Sequence, residues 1–348
     1  MKNFSTFAHR GYFGAANGFT GFRHSFDKIF SPAEFEKIFI LKGGPGTGKS
    51  SLMQRYAEHF HKSFFVEAIL CSSDSDSLDG VIVYIRDKKI AIIDGTAPHE
   101  IGLKIPGVKD EIINLGDNWN ERVLESHTKQ ILELNYEKKL HYKQAYDALR
   151  IAGEASEVLH GIAKSSFNSD AAVKEAKILI SGETSVQNER CGLLIGAFNK
   201  NGLETIPISA KKSIFKISGK SENSNLLMDV IYAELTNGGR RAIKYQSPLK
   251  ESLIDAIETP DMLFVSATKD AEVCSDEFEK VGFASNKERY MELKRIEENA
   301  LILAKDSFFR ASEVHKSLEE IYKTAMDFEK NEAILEKLIE RTDTISKK

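Results

Sequence analysis

The chain has 348 residues, room for two domains of common size, and a formal net charge of −4 spread over interspersed acidic and basic residues. That balance leaves no electrostatic footprint for nucleic acid. No apolar run is long enough to span a bilayer, and the N-terminus MKNFST lacks the apolar core of a signal peptide. The three cysteines, Cys71, Cys191 and Cys274, form no C-x-x-C pair, so a reduced cytoplasmic protein without structural zinc is expected.

Arg10 and the stretch GAANG at 14–18 come first. Phe19 and Phe22 follow, rings suited to core packing and, alternatively, to stacking on a base. Ile38-Phe39-Ile40-Leu41 is a short apolar run that predicts a buried strand. Directly after it, residues 43–51 read GGPGTGKSS, which fills the pattern G-x-x-x-x-G-K-[ST]. Gly43, Gly44, Pro45, Gly46, Thr47, Gly48, Lys49, Ser50 and Ser51 form the expected phosphate cradle, in which glycines let backbone N–H groups turn inward. Lys49 is placed to reach the β- and γ-phosphates, and the Ser50 hydroxyl to ligate Mg²⁺. Residues 51–60 carry apolar side chains at helical spacing, so the loop opens a helix whose N-terminus favours an anion.

Two segments then supply carboxylates. The stretch CSSDSDSLDG at 71–80 offers Asp74, Asp76 and Asp79 beside serines, for orienting water or binding a second substrate, or as a solvated turn. Lys89-Ile90-Ala91-Ile92-Ile93-Asp94 is an apolar run ending in a carboxylate, the Walker B pattern, with Asp94 expected in the Mg²⁺ shell. No Glu follows Asp94, so the catalytic carboxylate of additional-strand ATPases is absent from its usual place; Asp74, Asp76, His99 and Glu100 are the candidates for polarising water. From Asn118 to about Lys164 the pattern is helical, with a turn expected at 165–170. Near the end, Val314, Ile321, Phe328 and Leu335 recur every seven residues, with Leu318, Ala325 and Ile339 as companions. These helices are expected to pack on their own chain; the alternatives are an arm that grips a protein partner and self-association.

The chain also reads as written twice. At an offset of 175, Ile40–Met53 aligns with Phe215–Met228, which puts Gly44 on Gly219 and Leu52-Met53 on Leu227-Met228. Arg10 matches Arg190, a pair suited to ion pairing or to supplying a charge-stabilising arginine to the other half. In the second copy Gly48, Lys49 and Ser50 become Asn223, Ser224 and Asn225, and Asp94 becomes Ala267, so cradle, lysine and acid go together. The expected fold is α/β: two tandem P-loop NTPase-like domains, the second degenerate, with long helical extensions. The expected divisions are a nucleotide-binding domain at 1–117, its helical extension at 118–183, a degenerate domain at 184–283 and a coiled-coil-like extension at 284–348.

The segments CSSDSDSLDG, AIIDGTAPHE and IPGVKDEIINLGDNW, taken with the P-loop, resemble a poorly characterised family of P-loop ATPases found in Gram-positive bacteria. The resemblance covers nearly the whole chain. It implies tandem α/β repeats and binding of ATP or GTP, and assigns no physiological role. Fuller members carry a P-loop in both halves, and this chain departs from them at Asn223, Ser224 and Asn225. The activity expected is Mg²⁺-dependent hydrolysis of a nucleoside triphosphate, used as a conformational switch. The alternatives are a nucleotide or small-molecule kinase and a non-hydrolysing, nucleotide-gated scaffold. No guanine-specifying N-K-x-D and no LSGGQ is present in a suitable place.

Overall fold

A computed structural model describes residues 4–98, 100–186, 192–207, 213–266, 271–280 and 287–347. The first half contains β1 (Arg10–Phe13), the hairpin β2 (Ala15–Gly18) and β3 (Gly21–His24), and a short α1 (Phe26–Ile29). There follow β4 (Lys37–Lys42), α2 (Lys49–His61), β5 (Phe65–Leu70), β6 (Leu78–Ile85), β7 (Lys88–Asp94) and β8 (Asp110–Asn114). Three helices close it: α3 (Glu121–Ser126), α4 (Thr128–Ser166) and α5 (Ser169–Leu179). The second half contains the hairpin β9 (Gly196–Asn199) and β10 (Gly202–Thr205), then β11 (Ser213–Ser218) and α6 (Ser221–Asn237). Next come β12 (Ile243–Gln246), β13 (Ile254–Glu258), β14 (Met262–Ser266), β15 (Val273–Cys274), α7 (Lys287–Ala325) and α8 (Phe328–Lys347).

The fold is mixed α/β. The first sheet runs β1-β5-β6-β7-β4-β8 and the second β12-β13-β14-β11-β15. Within each, the first two pairings of the five shared positions are antiparallel and the last two parallel. Even an irregularity recurs: the register shifts between Ile69 and Leu70 in one sheet and between Tyr245 and Gln246 in the other. The apolar run of β4 is buried on both faces, as a strand with parallel neighbours should be. On α2, Leu52, Met53, Tyr56, Ala57 and Phe60 recur at helical spacing and are all buried.

The strand registers revise the internal alignment by one residue. Leu41 lies opposite Asp94 and Ile113, and Ile217 lies opposite Ser266 and Val273. Asp94 therefore corresponds to Ser266 rather than to Ala267, which lies outside the described residues, as does Arg190. Gly219 follows its strand as Gly43 does, not as Gly44 does, and both have positive φ, 122° and 156°.

The long helices α4 and α7 pack along each other, and their ends are pinned alike. Asn120 N–H donates to Ala325 O and Asp327 N–H to Asn118 O. In the same pattern Lys280 N–H donates to Ser166 O and Asn168 N–H to Phe278 O. The heptad stripe across 314–339 is accordingly broken: the chain turns at Met326-Asp327, so α7 and α8 are separate helices, and Phe328 is largely exposed. Val314, Leu318, Ile321 and Ala325 are buried within the chain, the packing expected of an apolar stripe. The last helix of each half crosses to the other. Tyr56 of α2 bonds Thr342 of α8 at 2.7 Å, while Ala172, Ala176 and Ile180 of α5 share a core with Leu227 and Ile231 of α6. No helix among the described residues is long and apolar enough to cross a membrane.

A charged clamp holds α8 to the first sheet. Arg341 donates from both guanidinium nitrogens to Glu111 of β8, 2.6 Å at Nη1, while covering the Phe39 ring, and Lys37 lies 3.3 Å from the same carboxylate. Arg341 first of all, then Lys37, holds the Glu111 carboxyl at about 2, below its ordinary 4.5. A depressed carboxyl stabilises the fold above its unfolded value and loses that contribution as pH falls. Arg341→Met should lower the melting temperature at neutral pH. The gap from wild type should narrow as pH falls from about 4.5 toward 2, read by thermal scans across that range.

Candidate functional site

The P-loop joins the end of β4 to the start of α2. Gly48 caps the helix with a left-handed backbone, φ 82°, and Gly46 has φ 69°; both geometries favour glycine. Thr47 is buried, and its hydroxyl donates to Gly44 O at 2.9 Å, which closes the loop on itself. Lys49 Nζ donates to Gly43 O and Gly44 O at 2.8 and 2.9 Å and stands 3.7 Å from Asp94 Oδ2. β7 lies immediately beside β4 with no strand between them, which brings Asp94 to that lysine. The other Asp94 oxygen accepts from Thr96 N–H at 2.9 Å and Thr96 O–H at 2.5 Å. Ser50 Oγ accepts the Leu78 N–H at 2.9 Å and so ties α2 to the start of β6. Lys49 thus meets Asp94, while the Ser50 hydroxyl faces the start of β6.

The outer face of the loop is packed by residues from far along the chain. A methyl group added at Gly46 would lie 2.6 Å from the Glu319 carbonyl of α7, and one at Gly44 3.3 Å from the Trp119 ring. Trp119 in turn sits against Tyr322, ring centroids 5.6 Å apart. Asn331, 7% exposed on α8, donates to Thr47 O at 2.9 Å and accepts from Asn118 Nδ2 at 2.9 Å. Sequence reading assigned no role to Asn118, Trp119, Tyr322 or Asn331. A signal existed for Asn331 alone, a polar residue falling on the buried face of an amphipathic helix.

The remaining candidates separate. Asp74 Oδ2 is ion-paired with Lys200, in the turn between β9 and β10, at 2.7 Å, and its Oδ1 accepts the Asp76 N–H at 3.2 Å. Asp76 and Glu100 are exposed, and His99 lies outside the described residues. Asp79 is buried at the start of β6. Burial first, then the Asp79 charge, pushes the Cys71 thiol well up, so it is no thiolate nucleophile. Arg10 is not at the site: it pairs with buried Glu258 of β13 at 2.8 Å, and Tyr245 bonds the same carboxylate. Phe19 packs on Gly153 of α4 and Phe22 against His24, so both serve the core rather than a base.

At the matching place in the second half, only Gly219 and Lys220 separate β11 from α6, and the space of a loop is wound into helix. Asn223 Nδ2 donates to Asp276 at 2.8 Å and Glu279 at 3.0 Å, Lys220 pairs with Glu279, and Ser224 bonds Ser275 at 3.0 Å. There the polar side chains of Lys220, Asn223 and Ser224 are engaged by Glu279, Asp276 and Ser275.

Residues 38–176, from β4 into α5, match the AAA domain, dynein-related subfamily. This segment is an ATP-binding P-loop NTPase domain. The match lends the kinase alternative no support. No curated protein and no solved structure matches the chain significantly. The Asn118–Asn331 pair is a polar link from the loop backbone to α8, which lies outside the matched segment. Asn331→Ala leaves a buried carbonyl and a buried amide unpaired and should cost about 1–3 kcal/mol in urea denaturation. Asn118→Ala should cost markedly less in the Asn331→Ala background than in the wild type, because the shared bonds are already gone.

Proposed function

We propose that the first half binds and slowly hydrolyses a magnesium nucleoside triphosphate, ATP or GTP, and that the chain uses the cycle as a conformational switch. The observation that carries this reading is the approach of Lys49 to Asp94, 3.7 Å, at the mouth of a strand–loop–helix turn whose helix opens with Lys49-Ser50. The backbone N–H groups of residues 43–51 would hold the phosphates, with Lys49 on the β- and γ-phosphates. The donor set suits Mg²⁺: the Ser50 hydroxyl and the Asp94 carboxylate are hard oxygens. Among the described residues no group of three or more His, Cys, Asp or Glu side chains is placed for a metal, which fits an ion completed by phosphate and water. Bound there, Mg²⁺ supplies neutralisation of charge between the terminal phosphates.

Asp74, whose carboxylate is held by Lys200 at 2.7 Å, and His99 are the candidates for orienting the attacking water. Binding would be felt in two places, at the α7–α8 turn through Thr47 and Asn331, and at the β9–β10 turn through Asp74 and Lys200. The divisions at 117, 183 and 283, the origin of the halves by duplication and the inactivity of the second half belong to the same proposal. Matched strand orders and the shortened loop after β11 support them.

Trp119 is the single tryptophan and lies beside Gly44, so its fluorescence is a direct reporter. Titration with Mg-ATP and Mg-GTP should saturate at one nucleotide per chain. Phosphate release should fall about 10²–10³-fold in Lys49→Ala, the loss typical of one group stabilising transition-state charge. Two equivalents bound per chain, or release indifferent to Lys49, would contradict the proposal.

A further inference from the structure

We infer that Asn331, on α8, is a positioning residue for nucleotide binding: by holding the Thr47 carbonyl it aims the Gly48 N–H into the phosphate cradle, so that the last helix of the chain completes the P-loop. This role rests on the nucleotide reading above and adds to it a residue 284 positions from Thr47.

Three observations carry it. The first is what holds each carbonyl of the loop. Gly43 O and Gly44 O are bound from within the motif, by Lys49 Nζ at 2.8 and 2.9 Å, and Gly44 O also by the Thr47 hydroxyl at 2.9 Å. Thr47 O is bound from outside it, by Asn331 Nδ2 at 2.9 Å. The second is the geometry of the trans peptide unit between Thr47 and Gly48. Its C=O and N–H point in opposite directions across one plane. Asn331 lies on the outer face, where its Nδ2 would also stand 3.3 Å from a methyl group added at Gly48. With the Thr47 carbonyl turned out to Asn331, the Gly48 N–H points to the inner side, and it has no partner among the described residues. Glycine tolerates either sign of φ, so nothing local keeps that peptide unit from flipping. The bond to Asn331 does. Asn118 fixes which end of the amide faces the loop: its Nδ2 donates to Asn331 Oδ1 at 2.9 Å, which leaves the Asn331 nitrogen for Thr47.

The third is a comparison inside the molecule. The turns that lead into α8 and α5 are pinned alike: Asp327 N–H donates to Asn118 O, and Asn168 N–H to Phe278 O. Counted from those bonds, Asn331 corresponds to Ala172, each the fourth residue of its helix, and Asn118 corresponds to Phe278. Ala172 and Phe278 are buried in one apolar cluster. The same two positions are therefore Asn and Asn beside the cradle, and Phe and Ala beside the loop that is wound into helix. A buried polar pair gives a fold little net stability over an apolar pair in its place. Packing alone thus calls for asparagine at neither position, whereas a loop carbonyl that must be held calls for it at one of them and for a partner to orient it at the other.

The test is a calorimetric titration of the full chain with Mg-ADP and with a non-hydrolysable Mg-ATP analogue. The proteins are wild type, Asn331→Asp, Asn331→Ala, Lys49→Ala and Arg341→Met, each held well below its own melting temperature. At neutral pH both Asn331 forms should bind either nucleotide about 10- to 100-fold more weakly, the worth of one hydrogen bond to a charged group, because the cradle grips phosphates that the two nucleotides share. Arg341→Met removes another anchor of α8 without touching the loop, and its affinities should stay within about twofold of wild type. The carboxyl introduced by Asn331→Asp can donate to Thr47 O only when protonated. Its deficit relative to wild type should therefore shrink as pH falls from about 8 to about 5, while that of Asn331→Ala stays constant. A loss in Arg341→Met as large as that in Asn331→Ala, or a deficit in Asn331→Asp that ignores pH, overturns the inference and leaves the P-loop reading standing. So do Asn331 forms that bind like wild type while Lys49→Ala binds weakly. A wild type that binds neither nucleotide overturns both.

Discussion

Everything at the nucleotide site depends on the antiparallel pairing of α4 and α7. Each helix is 39 residues long, and burial of an alanine-rich seam brings them close. Ala145 and Ala148 of α4 share a buried cluster with Ala304 and Phe308 of α7. Small side chains let the backbones approach, and the matching backbone hydrogen bonds at the two ends fix their register. With that register set, Glu319 and Tyr322 must lie over the P-loop, α8 must turn back onto α2, and α5 must continue onto α6.

The exchange of terminal helices gives each half a reason to sense the other. The P-loop is supported from outside by Glu319 and Asn331, residues more than two hundred positions away. A loop that tightens around phosphate would pull on Thr47, hence on Asn331 and the α7–α8 turn. The second half offers no equivalent handle, because its loop is helix and its side chains satisfy one another.

The motif chemistry was readable in the chain because it is local. Lys49 and Ser50 follow the glycines directly, and an apolar run ending in Asp94 is a strand that can sit only beside β4 in a sheet buried on both faces. The strand registers of the two sheets match one residue away from the alignment read in the sequence, because weak identity cannot locate the shortened loop after β11. The heptad stripe ran past the end of its helix: Phe328 and Leu335 keep the spacing, but the bonds between Asn118, Asn120, Ala325 and Asp327 end α7 before them. Of the two roles open to Arg10, ion pairing and a charge-stabilising arginine for the other half, the structure shows the ion pair, with Glu258 of β13.

By itself, then, the order of residues determined the cradle, its lysine, the carboxylate on the neighbouring strand and the α/β class, since each arises from contacts between near neighbours or from strand periodicity. Only the tertiary structure decided what surrounds the cradle. Asn118, Tyr322 and Asn331 lie on separate elements, and nothing in their local spacing relates them. They meet because two long helices bury a common seam and turn their ends across the halves, a geometry set by packing over the whole chain and therefore invisible in any short stretch of it.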